Sequence, residues 1–381
     1  MLRTIFAAPY RPLFLLAALA AAAGGGWWTA ALLHGVPMPA GGAAWHGHEM
    51  IFGFGGAAAA GYLLTALPSW TQGARVNTWL IVLLCGLWLA GRAAMASSDG
   101  PPLAVVGAFP ALLAAVLLVK LVRAKAWGRL PFVLLPVGML VLEGAVPGEH
   151  VLRAAVIGFA LAIAIIGGRM LPAFARVAPV STAFDTASLA VLGISILWDS
   201  GGLLIVAGLL QAGRMGRWRP RCDALLLMMY AGWIWLPVGL VLLGGSLMRP
   251  DLYAPSDALH GLGMGAMGCM VMAIASRALA RRNGGPLRAT PALTLAFAAV
   301  WLSAAARVAA PLAPGLLHGA GVLWVAGWSL FALALAASFA RPVPQPVLSG
   351  PRPVQRCEAP SAQSVVLPSL NPPPTDHPSP D

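Results

Sequence analysis

The sequence predicts an all-α, polytopic membrane helix bundle of about twelve transmembrane helices, followed by a disordered Pro-rich tail. Three observations predict it. Of 381 residues, 59% are hydrophobic and only 9% are charged, where a soluble domain carries about 25% charge. Apolar runs long enough to cross about 30 Å of hydrocarbon recur along residues 1–340. The basic residues cluster in alternate loops between those runs. A globule this apolar would have too little polar surface for water, which excludes an ordinary soluble enzyme or nucleic-acid-binding module. The net charge of +12 does not imply a nucleic acid partner, because basic residues in a multi-span protein collect in cytoplasmic loops for topological reasons.

Six runs in the first half read as spans: Pro12 to Leu33, Met50 to Pro68, Thr78 to Met95, Leu103 to Val122, Leu130 to Val146 and Val151 to Ile166. The second half adds Ala224 to Leu243, Asp257 to Ala280, Thr290 to Ala309 and Leu316 to Phe339. Between the two sets lies Thr186 to Gln211, interrupted by Trp198-Asp199-Ser200-Gly201-Gly202. Taken as two short helices in a hairpin, it puts both termini on one side together with 20 of the 24 Lys and Arg residues. The other side keeps only Arg92, Arg153, Arg249 and Arg307, with seven of the 12 acids. Taken as one span, it would invert every later loop and destroy that asymmetry. The lipid bilayer is therefore the principal partner, and the termini are expected to be cytoplasmic. The first run also has the look of a signal peptide, and its retention is expected because no soluble domain follows it. Residues 341–381 hold 12 prolines and cannot bury enough apolar surface to fold, so a disordered cytoplasmic tail is expected.

Histidines are the most informative polar residues, since neutral imidazole is the commonest transition-metal ligand and ionisable groups near lipid are costly unless used. On this topology His34, His46, His48, His150, His260 and His318 all fall at the non-cytoplasmic ends of spans, and only His377 lies in the tail. Trp45-His46-Gly47-His48-Glu49-Met50 opens the second span and Asp257-Ala258-Leu259-His260 the tenth. Imidazoles two residues apart cannot share a helix face, which places His46 just before the helix and His48 in its first turn. Read functionally, His46, His48 and His260 form a convergent ligand set; read structurally, they are interfacial histidines solvated by headgroups. Glycines follow the histidines of both spans (Gly53, Gly55, Gly56, Gly61; Gly261, Gly263, Gly265, Gly268). They permit either close helix packing or a flat macrocycle against the backbone. Met264, Met267, Met270 and Met272 with Cys269 put soft donors suited to Cu(I) along the tenth span, though methionine is more often flexible filler. Arg169 and Arg277 at the inner ends suit pairing with haem propionates or a small anion, or simple snorkelling. Spans two, six and ten each begin near a histidine, a faint internal repeat. The four cysteines form no C-x-x-C, so neither a zinc site nor a covalently attached haem is indicated.

These segments together resemble the NnrS family of bacterial haem- and copper-containing inner-membrane proteins linked to nitric oxide metabolism. The similar stretches are Pro9-Tyr10-Arg11-Pro12-Leu13-Phe14, the run from Trp45 to Phe54, Gly61 to Thr71, Gly168-Arg169-Met170-Leu171-Pro172, and Ala258-Leu259-His260 with Gly265-Ala266-Met267-Gly268 and Ser276-Arg277. The resemblance implies a twelve-span protein that binds b-type haem, with copper as a second metal, and mitigates nitric oxide stress around denitrification. His46, His48 and His260 match the family's histidine positions. Members often carry a further histidine in the ninth span, where this chain has Tyr230 in Met228-Met229-Tyr230-Ala231-Gly232-Trp233. Tyrosine ligates ferric haem and is a poor Cu(I) ligand, so one metal centre is altered or absent. Nitric oxide or another small diatomic is the expected ligand, and no residue set assigns a turnover reaction. The competing readings are a secondary transporter and a copper-handling or assembly factor without haem.

Overall fold

The computed structural model describes residues 2–39, 41–73, 75–97, 101–144, 148–215, 223–280 and 287–343. The expected tail from residue 344 onward, Asp99, His377, and the basic residues Arg217, Arg219, Arg221, Arg281 and Arg282 lie outside them. Every element among the described residues is helical. Eight helices are long and apolar enough to cross a membrane: α1 (Tyr10–His34), α2 (Ala43–Thr71), α3 (Thr78–Ser97), α6 (Glu149–Ala175), α9 (Ala224–Met248), α10 (Pro255–Ala280), α11 (Pro291–Ala309) and α12 (Leu316–Ser338). Four shorter ones complete the order: α4 (Ala108–Arg123), α5 (Leu134–Glu143), α7 (Thr182–Leu197) and α8 (Gly201–Met215). At about 1.5 Å per residue, α7 with 16 residues and α8 with 15 fall short of a full hydrocarbon thickness. A one-turn helix at Leu103–Val106 and a tighter 3₁₀ segment at Trp127–Val133, which contains Pro131, extend α4 and α5 at their starts. Proline lacks the N–H an α-helix needs there.

The region from Thr186 to Gln211 is thus two helices joined by residues 198–200, and its tip is tied to the start of α6. Arg153 Nη2 donates to Asp199 Oδ2 at 2.7 Å, and His150 Nδ1 lies 2.9 Å from the same oxygen. α2 starts earlier than its hydropathy suggests, at Ala43, because Gly41 and Gly42 take positive φ (87° and 48°) and turn the chain directly into two helix-forming alanines. Both His46 and His48 therefore lie inside the helix, and the expectation that His46 precedes it is corrected.

Neighbouring helices meet backbone to backbone where glycines face one another. A Cβ on Gly244 would stand 2.5 Å from the Gly201 carbonyl oxygen, and one on Gly239 2.8 Å from the Gly261 carbonyl carbon. Apolar helices attract weakly in lipid, so such close approach supplies the packing. α1 and α12 close the bundle. Trp324 Nε1 donates to Ala21 O at 2.8 Å. Buried Arg11 donates to Thr4 O at 2.7 Å and to the carbonyls of Phe339 and Arg341 beyond α12. A cation at a helix C-terminus is favourable, which gives the Pro-Tyr-Arg-Pro segment its role as a clasp.

The four arginines that break the charge asymmetry all occupy ion pairs at one end of the bundle: Arg92 with Glu49 (2.6 Å), Arg153 with Asp199 (2.7 Å), Arg249 with Asp251 (2.8 Å) and Arg307 with Asp257 (2.7 Å). Each is neutralised by a carboxylate of its own end. At the opposite end Arg214 is fully buried and pairs with Asp185.

Candidate functional site

Two helices begin at the charged end with the same local irregularity. α2 widens to π-helical geometry over Glu49–Gly55, immediately after His48, and α10 does so over Gly261–Gly268, immediately after His260. A π segment inserts a residue into the helical repeat and is frequent at functional sites. The Gly53 carbonyl in the first segment accepts from Trp88 Nε1 at 3.0 Å, so a group loosened from the regular ladder finds a partner on α3. Of the three spans in the faint repeat, the second and tenth share the π geometry, whereas the sixth, α6, is regular α-helix.

Between α1, α2, α6, α10, α11 and α12 lies a cavity of about 640 Å³, within the range of small-molecule and cofactor sites. His46 and His260 both line it, as do Met50, Met264 and Met267. Its walls are otherwise mainly apolar, including Leu32, Ile51, Phe54, Leu152 and Trp324. His260 Nδ1 is 2.9 Å from the Ser256 carbonyl one turn earlier. A carbonyl only accepts, so Nδ1 carries the proton; in the neutral ring Nε2 is then a bare lone pair, the arrangement that orients metal-ligating histidines. His46 is stacked on Trp28 (centroids 4.7 Å, 18° between planes), and its Nδ1 is buried without a hydrogen-bond partner. Buried ring nitrogens are rarely left so, and a ligand would complete this one.

His48 lies elsewhere. Two positions from His46, it points about 200° around the helix, toward α3 and α5. Its Nε2 is 3.0 Å from Glu143 Oε2 and its Nδ1 3.2 Å from Glu49 Oε1. Arg92 bridges both acids, at 2.6 Å from Glu49 and 3.6 Å from Glu143. Glu143, with only 2% of its side chain exposed, is the deepest member. Both nitrogens of His48 are engaged, so the structure brings His46 and His260 together at the cavity and holds His48 in a separate polar cluster. Among the described residues no three His, Cys, Asp or Glu side chains are grouped to hold a metal ion.

The glycines divide by the two uses open to them. Gly261 meets Gly239 of α9, Gly265 the ring of Trp235 and Gly268 that of Trp324, all as close packing. Gly263 alone of this set has nothing within 4 Å of where a Cβ would stand, and it lines the cavity. Tyr230 is buried in the first third of α9, far along the helix from its charged end, and is not a cavity residue. His34, His150 and His318 are exposed. Arg277 lies over the Phe174 ring at 3.6 Å, and neither it nor Arg169 reaches the cavity. Sequence reasoning missed Arg153 and Arg307 in the cavity wall. Their signal was available: both are minority-side arginines, retained where positive charge is otherwise avoided.

The family model for NnrS protein matches residues 4–342. The chain belongs to the NnrS family. The match spans nearly all the described residues, from the Arg11 clasp through both π segments to the end of α12. No curated protein matches the chain.

Proposed function

We propose that this NnrS-family chain is a haem-binding protein of the bacterial inner membrane. It has about twelve spans and cytoplasmic termini, and it acts in nitric oxide metabolism or protection from nitrosative stress. One observation carries the reading: two imidazoles, one with an orphaned nitrogen and one with its tautomer fixed by a backbone carbonyl, line a single cavity of about 640 Å³. Two histidines with no third His, Cys, Asp or Glu among the described residues suit a group that brings most of its own metal ligands, as a porphyrin does, better than a bare ion. His46 and His260 would hold it, Trp28 fixes the plane of the His46 ring, and the apolar walls exclude water. Gly263 leaves room for a flat body. Bound haem would supply an iron that takes nitric oxide, a small apolar gas that partitions into lipid, in exchange for one of the two imidazoles. The chain's own part is to bind, orient and keep dry. The hairpin of α7 and α8, with its tip fixed beside α6 at the arginine-poor end, supports counting both short helices as spans.

Met50, Met264 and Met267 on the same wall favour a second reading, in which the cavity takes Cu(I) with the two imidazoles. The test is to purify the full chain after expression with ample haem and iron, measure iron and copper, and record visible spectra oxidised, reduced and with nitric oxide. A Soret band that shifts on reduction and again with the gas is expected. Copper without a Soret band selects the second reading, and a colourless, metal-free protein contradicts both.

A further inference from the structure

Two cations stand in the cavity wall with no part in imidazole or thioether ligation. Arg153, in the second turn of α6, is 6% exposed. Its Nη2 donates to Asp199 and its Nη1 is 3.5 Å from Glu149, while Nε is buried with no hydrogen-bond partner. Arg307, near the end of α11, donates to Asp257 Oδ1 at 2.7 Å. Both guanidinium-bearing residues line the cavity, whereas Asp199 and Asp257 do not; the one lining carboxylate among the described residues, Glu149, is 84% exposed and 3.5 Å from Arg153, so the wall keeps an excess of positive charge. The acid partners are also the wetter members: the Asp199 side chain is 37% exposed against 7% for Arg153, and Asp257 26% against 16% for Arg307. The Asp199 and Asp257 pairs are thus oriented with the carboxylate outward and the cation toward a mainly apolar space.

A guanidinium offers five N–H donors in a fixed fork, and one carboxylate occupies at most two of them; among the described residues Arg307 has Asp257 alone as carboxylate partner, while Arg153 shares its fork among Asp199, Glu149 and His150 and keeps Nε without a partner. A cation on a mainly apolar wall is stabilised by an anion beside it. From these placements we propose that Arg153 and Arg307 bind the anionic side groups of the molecule held by His46 and His260. The cavity therefore selects a planar, apolar body that carries free carboxylates. This rests on the porphyrin reading above, and it assigns to two arginines on different helices the task of setting which edge of the ring faces the charged end.

The test uses the full chain purified haem-free, titrated with iron protoporphyrin and with its dimethyl ester, in which both carboxylates are masked. Binding is read by the Soret change and by quenching of tryptophan fluorescence, since Trp28 and Trp324 line the cavity. The natural chain is expected to bind the free acid about tenfold more tightly than the ester, the scale of a charge-assisted contact. Arg153→Gln with Arg307→Gln should erase that preference by weakening the acid alone and leaving the ester unchanged. The ester comparison needs no substitution, so it stands even if the double variant does not fold; Arg307→Gln alone should then halve the preference on a logarithmic scale. Equal binding of acid and ester by the natural chain overturns the arginine assignment and leaves the haem reading standing. Failure of both porphyrins to bind overturns the two together.

Discussion

The two faces of the start of α2 carry the same residue type in opposite circumstances. On one face His46 is stacked on an indole, has a buried nitrogen without a partner and looks into a cavity shared with His260, Met264 and Met267. On the other, His48 has both nitrogens within hydrogen-bonding distance of carboxylates that are themselves bridged by Arg92. The difference teaches that a histidine's surroundings, not its presence in a motif, decide its chemistry. A ring nitrogen already claimed by an acid is a poor candidate for iron, whereas an unclaimed one beside a mainly apolar cavity is a good one. On the proposed reading the Trp-His-Gly-His-Glu segment encodes two devices, a haem ligand in His46 and a structural lock between α2, α3 and α5.

If that division is right, damage to the lock should appear as lost stability and not as lost binding. Glu143→Gln removes a buried charge from a four-member cluster and leaves Arg92 and His48 undercompensated. A cost of about 3 kcal/mol is expected, read as a lower midpoint of thermal unfolding in detergent, with porphyrin affinity of the surviving fold unchanged. An unaltered midpoint would sink the lock.

The glycines of α10 sharpen the same contrast at a smaller scale. Gly261→Leu places bulk against Gly239, where a Cβ would already be 3.1 Å from the facing Cα. Overpacking of about 1–3 kcal/mol should follow. Gly263→Leu meets open space and should leave the midpoint alone while reducing porphyrin uptake. Equal effects of the two substitutions on both readouts would merge the packing and cavity faces of this helix.

The smallest effect concerns the hairpin tip. Burial works against the charge on Asp199, but the hydrogen bond and charge of Arg153, with His150 adding to them, outweigh it and hold the carboxyl below its ordinary range. A carboxyl depressed in the fold contributes stability that is fully present above the unfolded value of about 3.9 and is lost as pH falls through the lower folded value. Amide exchange in residues 198–204 should therefore stay protected down to about pH 4 and rise only below it, whereas Asp199→Asn should abolish the dependence. Protection lost already near neutrality would show that another group ties the hairpin down.

Much of this was legible in the sequence because lipid imposes few rules and strict ones. Apolar run length marked out the helices, and the arrangement of basic residues resolved Trp198-Asp199-Ser200 as a turn between α7 and α8. The spacing of His46 and His48 already denied them a common face. What stayed hidden was which face met what. Whether His48 turned to the cavity or to Glu143 depends on the rotation of α2 and the depth of α5, which are set by packing across 95 residues of chain. The start of α2 was placed too late because it was judged from the apolar run, whereas Gly41 and Gly42 act as the turn that launches the helix. Arg153 and Arg307 stood out in the sequence only as exceptions to a charge rule, and both line the same cavity.

The central claim is tested most directly by replacing His46, His48 and His260 by alanine one at a time and measuring haem per folded protein. His46→Ala and His260→Ala should each lower haem content by about tenfold or more, the scale of lost support at a metal site. His48→Ala should retain it in whatever fraction folds. Equal retention in all three, or loss confined to His48→Ala, would contradict the assignment of the cavity as the haem site.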